Sequence, residues 1–213
     1  MYQSGKNLTL MDEKSVFIGD EVQIGDNVTI YENNRIEGKT VIGDGCVLLP
    51  NNYIKNCLIG DGVTVNYSQM EDATVGERVQ IGPFARLRPN ANIGKRVKIG
   101  NFVEVKNAEI GEDTKVSHLA YVGDCTIGKN CNVGCGVIFV NYNGKTKNRT
   151  VVGDNCFIGS NCNVVAPVTI EKNSFICAGT TVTEQVNEDD FVIGRVRQEN
   201  KQNRAHEYLK EEF

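Results

Sequence analysis

Aliphatic residues recur at every sixth position along most of this chain. The ladder runs Ile18, Ile24, Ile30, Ile36, Ile42, Leu48 and Ile54, then Ile59 and Val65. It continues through Val75, Ile81, Leu87, Ile93, Ile99 and Val105, then Ile110, Val116, Val122, Ile127, Val133 and Phe139. A last run is Val152, Ile158, Val164, Ile170, Ile176 and Val182. Many rungs precede a glycine, and four residues after a rung a second Val or a small residue is common, as at Val22, Cys46 and Ala85. A period of six fits neither the 3.6 of a helix nor the 2 of a single amphipathic strand. It fits a short strand and a tight corner, repeated. Three such sides close a triangular coil, which has no core of its own until it stacks on the next. A β-sandwich would not hold a fixed phase for this long. The chain is therefore expected to be an all-β parallel solenoid.

Composition agrees. The 213 residues suit one solenoid domain, and no Pro- or Ser-rich linker breaks the ladder. A formal net charge of −4 argues against general nucleic-acid binding. Aromatic residues are few and tryptophan is absent, as a narrow aliphatic core requires. No apolar run approaches the length of a membrane helix, and the opening residues are not expected to act as a signal peptide. Eight cysteines form no Cys-x-x-Cys pair, and several (Cys46, Cys131, Cys156, Cys162) fall in the small inward slot of a repeat. They are expected to be reduced core thiols.

In chain order, residues 1–17 are expected to form a cap or an irregular first coil, 18–185 the β-helix, and 186–213 a C-terminal extension. The stretch between Val65 and Val75 is irregular, with Glu71 falling in the aliphatic phase. Between Phe139 and Val152 the period fails for longer, which predicts an outward loop beside a binding surface.

Candidate chemistry is sparse. Only two histidines occur, His118 and His206, so a three-histidine zinc site has no second repeat-borne histidine to draw on. Positions about 18 residues apart stack on neighbouring coils. Arg88 and Lys106 should therefore lie one above the other, either to hold an anion or as solvated surface charges. His118 is open to two readings, a core histidine or a functional one near Lys106, Tyr121, Asn141, Tyr142 and Lys147.

The stretches IGPFARLRP (81–89), GNFVEVKNAEIG (100–111), SHLAYVGDCTIGKNCNVGCG (117–136) and NYNGKTK (141–147) carry a more specific signal. With GDNCFIGSNCNVVAPVTI (153–170), AGTTVT (178–183) and IGRVRQ (193–198), they resemble one family closely. It is the acetyltransferase half of the bacterial bifunctional glucosamine-1-phosphate acetyltransferase/N-acetylglucosamine-1-phosphate uridylyltransferase. The resemblance covers nearly the whole chain from about Leu10. It implies left-handed coiling of the β-helix. The family's nucleotidyltransferase domain has no counterpart here, so the chain is not expected to make UDP-sugars.

The resemblance also implies roles. Arg88, Lys106 and Tyr121 would hold the sugar phosphate, Asn132 and Lys147 the sugar and its phosphate, and Asn141 and Tyr142 the amino sugar and acetyl group. Acetyl-CoA would meet Ser160, Ala178, Arg195 and the backbone N–H of Cys135. His118 would act as general base, oriented by Glu104, with Asn141 holding the attacking amine and no metal required. Two departures from the family pattern are Cys135, where several relatives have alanine, and a tail without their aromatic-basic ending. Another amino sugar phosphate such as galactosamine 1-phosphate, a sugar nucleotide, or a non-catalytic scaffold are the competing readings. A cytoplasmic homotrimer is expected, with sites between subunits. Arg88, Lys106 and Tyr121 would face Asn141, Tyr142 and Lys147 across a cleft, and the arm bearing Arg195 would come from a neighbour. Neither nucleic acid nor membrane is an expected partner.

Overall fold

The computed structural model describes residues 2–208. Within them the chain is a parallel β-solenoid of the left-handed β-helix type. Strands of two or three residues alternate with corners, and each pairs in parallel with the strand one coil above. One face is a ten-stranded sheet from Gln3–Ser4 to Val168–Ile170. The second face runs from Thr9–Leu10 to Phe191–Val192, and the third from Phe17–Ile18 to Thr181–Val182. Faces two and three form one sheet, because two nine-residue strands, Lys98–Lys106 and Lys115–Gly123, run unbroken round the corner between them.

The ladder forms the core. Ile30, Ile36, Leu48, Ile54, Ile99 and Ile158 are fully buried, each stacked on its counterpart one coil away. The small slots take Val, Ala, Cys or Thr, and in one column Asn34 and Asn52. Those two asparagines stay satisfied in the interior: Asn52 Nδ2 donates to Asn34 Oδ1 at 2.9 Å, and Asn34 Nδ2 donates to the carbonyls of Tyr31 and Leu49. All eight cysteines are unpaired and only Cys135 is exposed. Burial pushes the Cys46 and Cys57 thiols up to about 11, which makes them inert packing groups.

Two boundaries and one rung differ from the sequence reading. The first coil is regular and begins at Gln3, which pairs with Gln23; Leu10 and Ile18 already occupy its rungs. Its ladder is hidden because those rungs are eight residues apart and a polar Ser4 takes the third position. In the irregular stretch the buried rung is Met70, not Glu71, whose side chain faces outward. The solenoid also extends past 185, since Val186 is buried and Phe191–Val192 pairs with Phe175–Ile176. Only from about residue 193 is the chain an extension, with a single 3-10 turn at Ala205–Glu207. Residues 209–213 of that extension lie outside the described residues. No helix among the described residues is long and apolar enough to cross a membrane.

The break after Val140 is an outward hairpin. Asn148 N donates to the Asn141 carbonyl at 2.7 Å, Tyr142 bridges Lys147, and Asn143 Oδ1 accepts from the amides of Lys145 and Thr146. The hairpin leaves from the corner between the third face and the ten-stranded face, directly above Asp124.

Candidate active site

The sequence-derived candidates fall into two groups, separated by the width of the third face. The first is a column on the corner between faces two and three. The long strands bring Asn101 opposite His118. Cys135, Ser160 and Ala178 continue the same corner on successive coils, each just before the residue that turns it. Neighbouring coils are about 4.8 Å apart, so the column is a straight track along one edge of the prism. Arg195 closes its upper end, with Nη1 donating to the Ala178 carbonyl at 2.9 Å.

His118 is exposed, and its Nδ1 lies 2.7 Å from Asn101 Oδ1. A carbonyl oxygen only accepts, so Nδ1 carries the proton and a neutral ring keeps its lone pair on Nε2. Glu104, expected beside this ring, is not there. The register puts Glu104 opposite Tyr121, beyond the corner residue Phe102, and its carboxylate pairs with Arg88 at 2.7 Å. Asn101 therefore orients the imidazole.

The turning residues themselves change character along this edge. Tyr67, Phe84, Phe102 and Leu119 all have positive φ and stand exposed, with Phe84 stacked on Phe102 at 5.4 Å and tilted against Tyr67 at 4.7 Å. Above Leu119 the turning residue is Gly136, at φ +75, where a Cβ would meet Asn161 Oδ1. The apolar ridge ends there: the turning residues after Cys135, Ser160 and Ala178 are Gly136, Asn161 and Gly179.

The second group sits at the other margin of the third face. Arg88 and Lys106 stack as the coil length predicts, and the hairpin brings Lys147 against Lys106. The Lys147 ammonium, followed by burial and by Arg88, holds Lys106 below the usual lysine range, with Asp124 acting in the opposite direction. Tyr121 accepts from Asn141 Nδ2 at 3.4 Å, and Asn141 Nδ2 also makes a short bond to Asp124 Oδ2. The contacts of Tyr121 and Lys106 with Asn141 and Lys147 are thus within one chain, not across a subunit boundary. The cause is local: the hairpin rises from the corner directly above Asp124. Three cations here, Arg88, Lys106 and Lys147, face two carboxylates, Glu104 and Asp124, which leaves positive charge unmatched. Such a surplus on an open face attracts anions.

Two residues expected in this group are not drawn into it, and Arg195, expected to come from a neighbouring subunit, lies on its own chain's corner column. Tyr142 points into its own hairpin, its hydroxyl donating to the Gly144 carbonyl at 2.7 Å. Asn132 lies on the second face, between Lys115 and Phe157. Arg195 binds its own chain's Ala178. Asn101 and Asp124 are the residues the sequence reading missed; each lies 17 residues from a stacked partner, so the coil length was the available signal.

Two family models match the chain: the GMPPB C-terminal domain over residues 69–141 and the hexapeptide repeat of succinyl-transferase over 149–184. Among curated proteins, the bifunctional protein GlmU of Clostridium novyi (strain NT) is 49% identical over 193 residues, which is 91% of this chain and 42% of the relative. GlmU of Listeria monocytogenes is 48% identical over 194 residues, with the same shares. Over about nine-tenths of its length the chain is homologous to the C-terminal hexapeptide-repeat domain of bacterial GlmU. It spans about two-fifths of the length of those bifunctional relatives. Among solved structures, the Arabidopsis UDP-N-acetylglucosamine acyltransferase superposes with a TM-score of 0.59 over 88% of this chain and 65% of its own. At 17% identity that likeness concerns the fold alone. The matched stretches, 69–141 and 149–184, hold all the candidates except Tyr142, Lys147 and Arg195.

Proposed function

We propose that this GlmU homologue transfers the acetyl group of acetyl-CoA to the 2-amino group of glucosamine 1-phosphate. The observation that carries the reading is the surplus of cations at Arg88, Lys106 and Lys147, one face away from an exposed histidine with a free Nε2. The cations take the sugar phosphate, with Glu104 holding Arg88 in place and Tyr121 at its side. His118 Nε2 removes a proton from the amine, and the amine lone pair attacks the thioester carbonyl. The backbone N–H of Cys135 has no backbone acceptor among the described residues and so is available to the tetrahedral oxyanion. Collapse of that intermediate breaks the C–S bond, and the proton held by His118 passes to the departing thiolate. The cofactor's chain lies along the corner by Ser160 and Ala178, beyond the apolar ridge, ending at Arg195. Buried reduced thiols and these metabolites suit the cytoplasm.

Because Asn132 sits on the second face and Lys106 on the third, we further propose a homotrimer in which face two of one chain closes the site on face three of the next, with Tyr142 reaching across that junction. The test is thiol release from acetyl-CoA with glucosamine 1-phosphate, galactosamine 1-phosphate, unphosphorylated glucosamine and amino sugar nucleotides. Rapid release with glucosamine 1-phosphate alone is expected. Preference for another acceptor would move the substrate assignment, and no release with any of them would sink the enzyme reading. His118→Ala should fold normally and turn over some 10²- to 10⁴-fold more slowly.

A further inference from the structure

Asp124 is a buried carboxylate that none of the roles above uses. It turns the corner after strand Lys115–Gly123, in the left-handed region at φ +48. A buried charge needs partners, and this one has two amides. Asn107 Nδ2 donates to Oδ1 at 2.5 Å, and Asn141 Nδ2 donates to Oδ2. Burial raises its pKa, but the bonds from Asn107 and Asn141, then Lys147 and Lys106, outweigh that and hold it below the usual carboxylate range. An ionised carboxylate only accepts, so both amides must turn their NH2 groups toward it.

The consequence for Asn141 is specific. Its Nδ2 is committed to Asp124 and Tyr121, while its Oδ1 accepts nothing among the described residues. The hairpin it begins is closed mainly on itself and carries Lys147 against Lys106, a repulsive contact. Asp124 opposes that repulsion and ties the hairpin's first residue to the solenoid.

We propose that Asp124 is a positioning residue that locks the Asn141 amide with Nδ2 inward and Oδ1 outward, so that the site meets the substrate nitrogen with a fixed hydrogen-bond acceptor. The inference rests on the acetyl-transfer reading. An N–H of the amine donates to Asn141 Oδ1, which fixes the direction of the nitrogen lone pair. Without Asp124 the amide can present either end.

The experiment is a double-mutant cycle on the full chain with Asp124→Ala, Asn141→Ala and both together. With glucosamine 1-phosphate and acetyl-CoA, Asp124→Ala should lower kcat roughly 10- to 100-fold, with less change in KM for acetyl-CoA. In the Asn141→Ala background it should cost nothing further, because the residue it positions is already gone. A loss that multiplies fully with that of Asn141→Ala, or kcat within twofold of wild type for Asp124→Ala, overturns the proposal. Should the Asp124 variants not fold, the wild-type side-chain amide of Asn141 decides. Assigned by its loss in Asn141→Ala, it should show two strongly inequivalent protons, and free-asparagine shifts overturn the proposal. If no acceptor yields activity in the wild type, the function reading fails, while this amide signal still reports on the Asp124 contact by itself.

Discussion

Lys106 is the residue whose charge reports most directly on the site. It is held below the usual lysine range first by Lys147, then by burial and Arg88. The anion binds the ammonium form, so affinity for glucosamine 1-phosphate is present below the free-protein pKa of Lys106 and falls as pH rises through it. Titration calorimetry between pH 7 and 10 should show that loss starting before the ordinary lysine value of about 10.4. Lys147→Met removes the main cause: affinity at neutral pH should drop, and the alkaline loss should move upward. The stability sign is separate. A depressed lysine pKa means the folded state disfavours the charged form, so the penalty applies below that pKa and fades above it. Lys147→Met removes this repulsion but also the attraction of Lys147 for Asp124, so Tm at pH 7 should change little. Thr150 is a second residue with a definite expectation. Its hydroxyl is buried without a partner among the described residues, in a column of small side chains. Thr150→Val keeps the shape and removes the unsatisfied group, so stability should rise by about 1 kcal/mol, measured by denaturant unfolding.

At the scale of elements, strands of two residues bury one rung each and have no independent stability. Their strength is the stack. Ile158→Ala removes a fully buried rung between Val133 and Ile176 and should cost about 2–5 kcal/mol. The solenoid was legible in sequence because nearly every rung is a branched aliphatic, so the core is written directly as a period. The exceptions have physical causes. Glu71 falls on the aliphatic phase only by counting; the coil is shorter there, and Met70 takes the slot. The first coil was obscured by the polar Ser4 and the long step from Leu10 to Ile18. Coil length also placed Arg88 over Lys106 correctly. The same spacing connects Asn101 to His118, but an asparagine carries no charge to draw attention, and Glu104 was the more obvious partner. Asp124 was within reach of the same arithmetic, since Asn107 and Asn141 each lie 17 residues away, but two more uncharged asparagines gave no reason to single it out.

For the whole molecule, the decisive feature is that one prism exhibits its candidate residues on two faces that cannot face each other. Arg88, Lys106 and Tyr121 belong to the third face and Asn132 to the second. The corner between these faces carries the exposed ridge of Tyr67, Phe84, Phe102 and Leu119. Apolar side chains held at positive φ are costly to keep in water, and a threefold axis along this edge would bury three copies together. The same rotation turns face two of each chain toward face three of its neighbour. Sedimentation equilibrium at micromolar concentration should give three chain masses. A sharper test mixes two inactive proteins, Lys106→Ala and Asn132→Ala, after partial denaturation and reassembly. In any mixed trimer the cyclic order brings one intact third face against one intact second face at a single junction. Random assembly should therefore recover roughly a quarter of wild-type turnover. By contrast, mixing His118→Ala with Arg195→Ala should recover nothing, because the corner column places both residues on one edge of the same chain. Confirmed mixed trimers that stay inactive in the first pairing would show that Lys106 and Asn132 do not meet across subunits. Recovery in the second pairing would show that the cofactor track, too, is shared between chains.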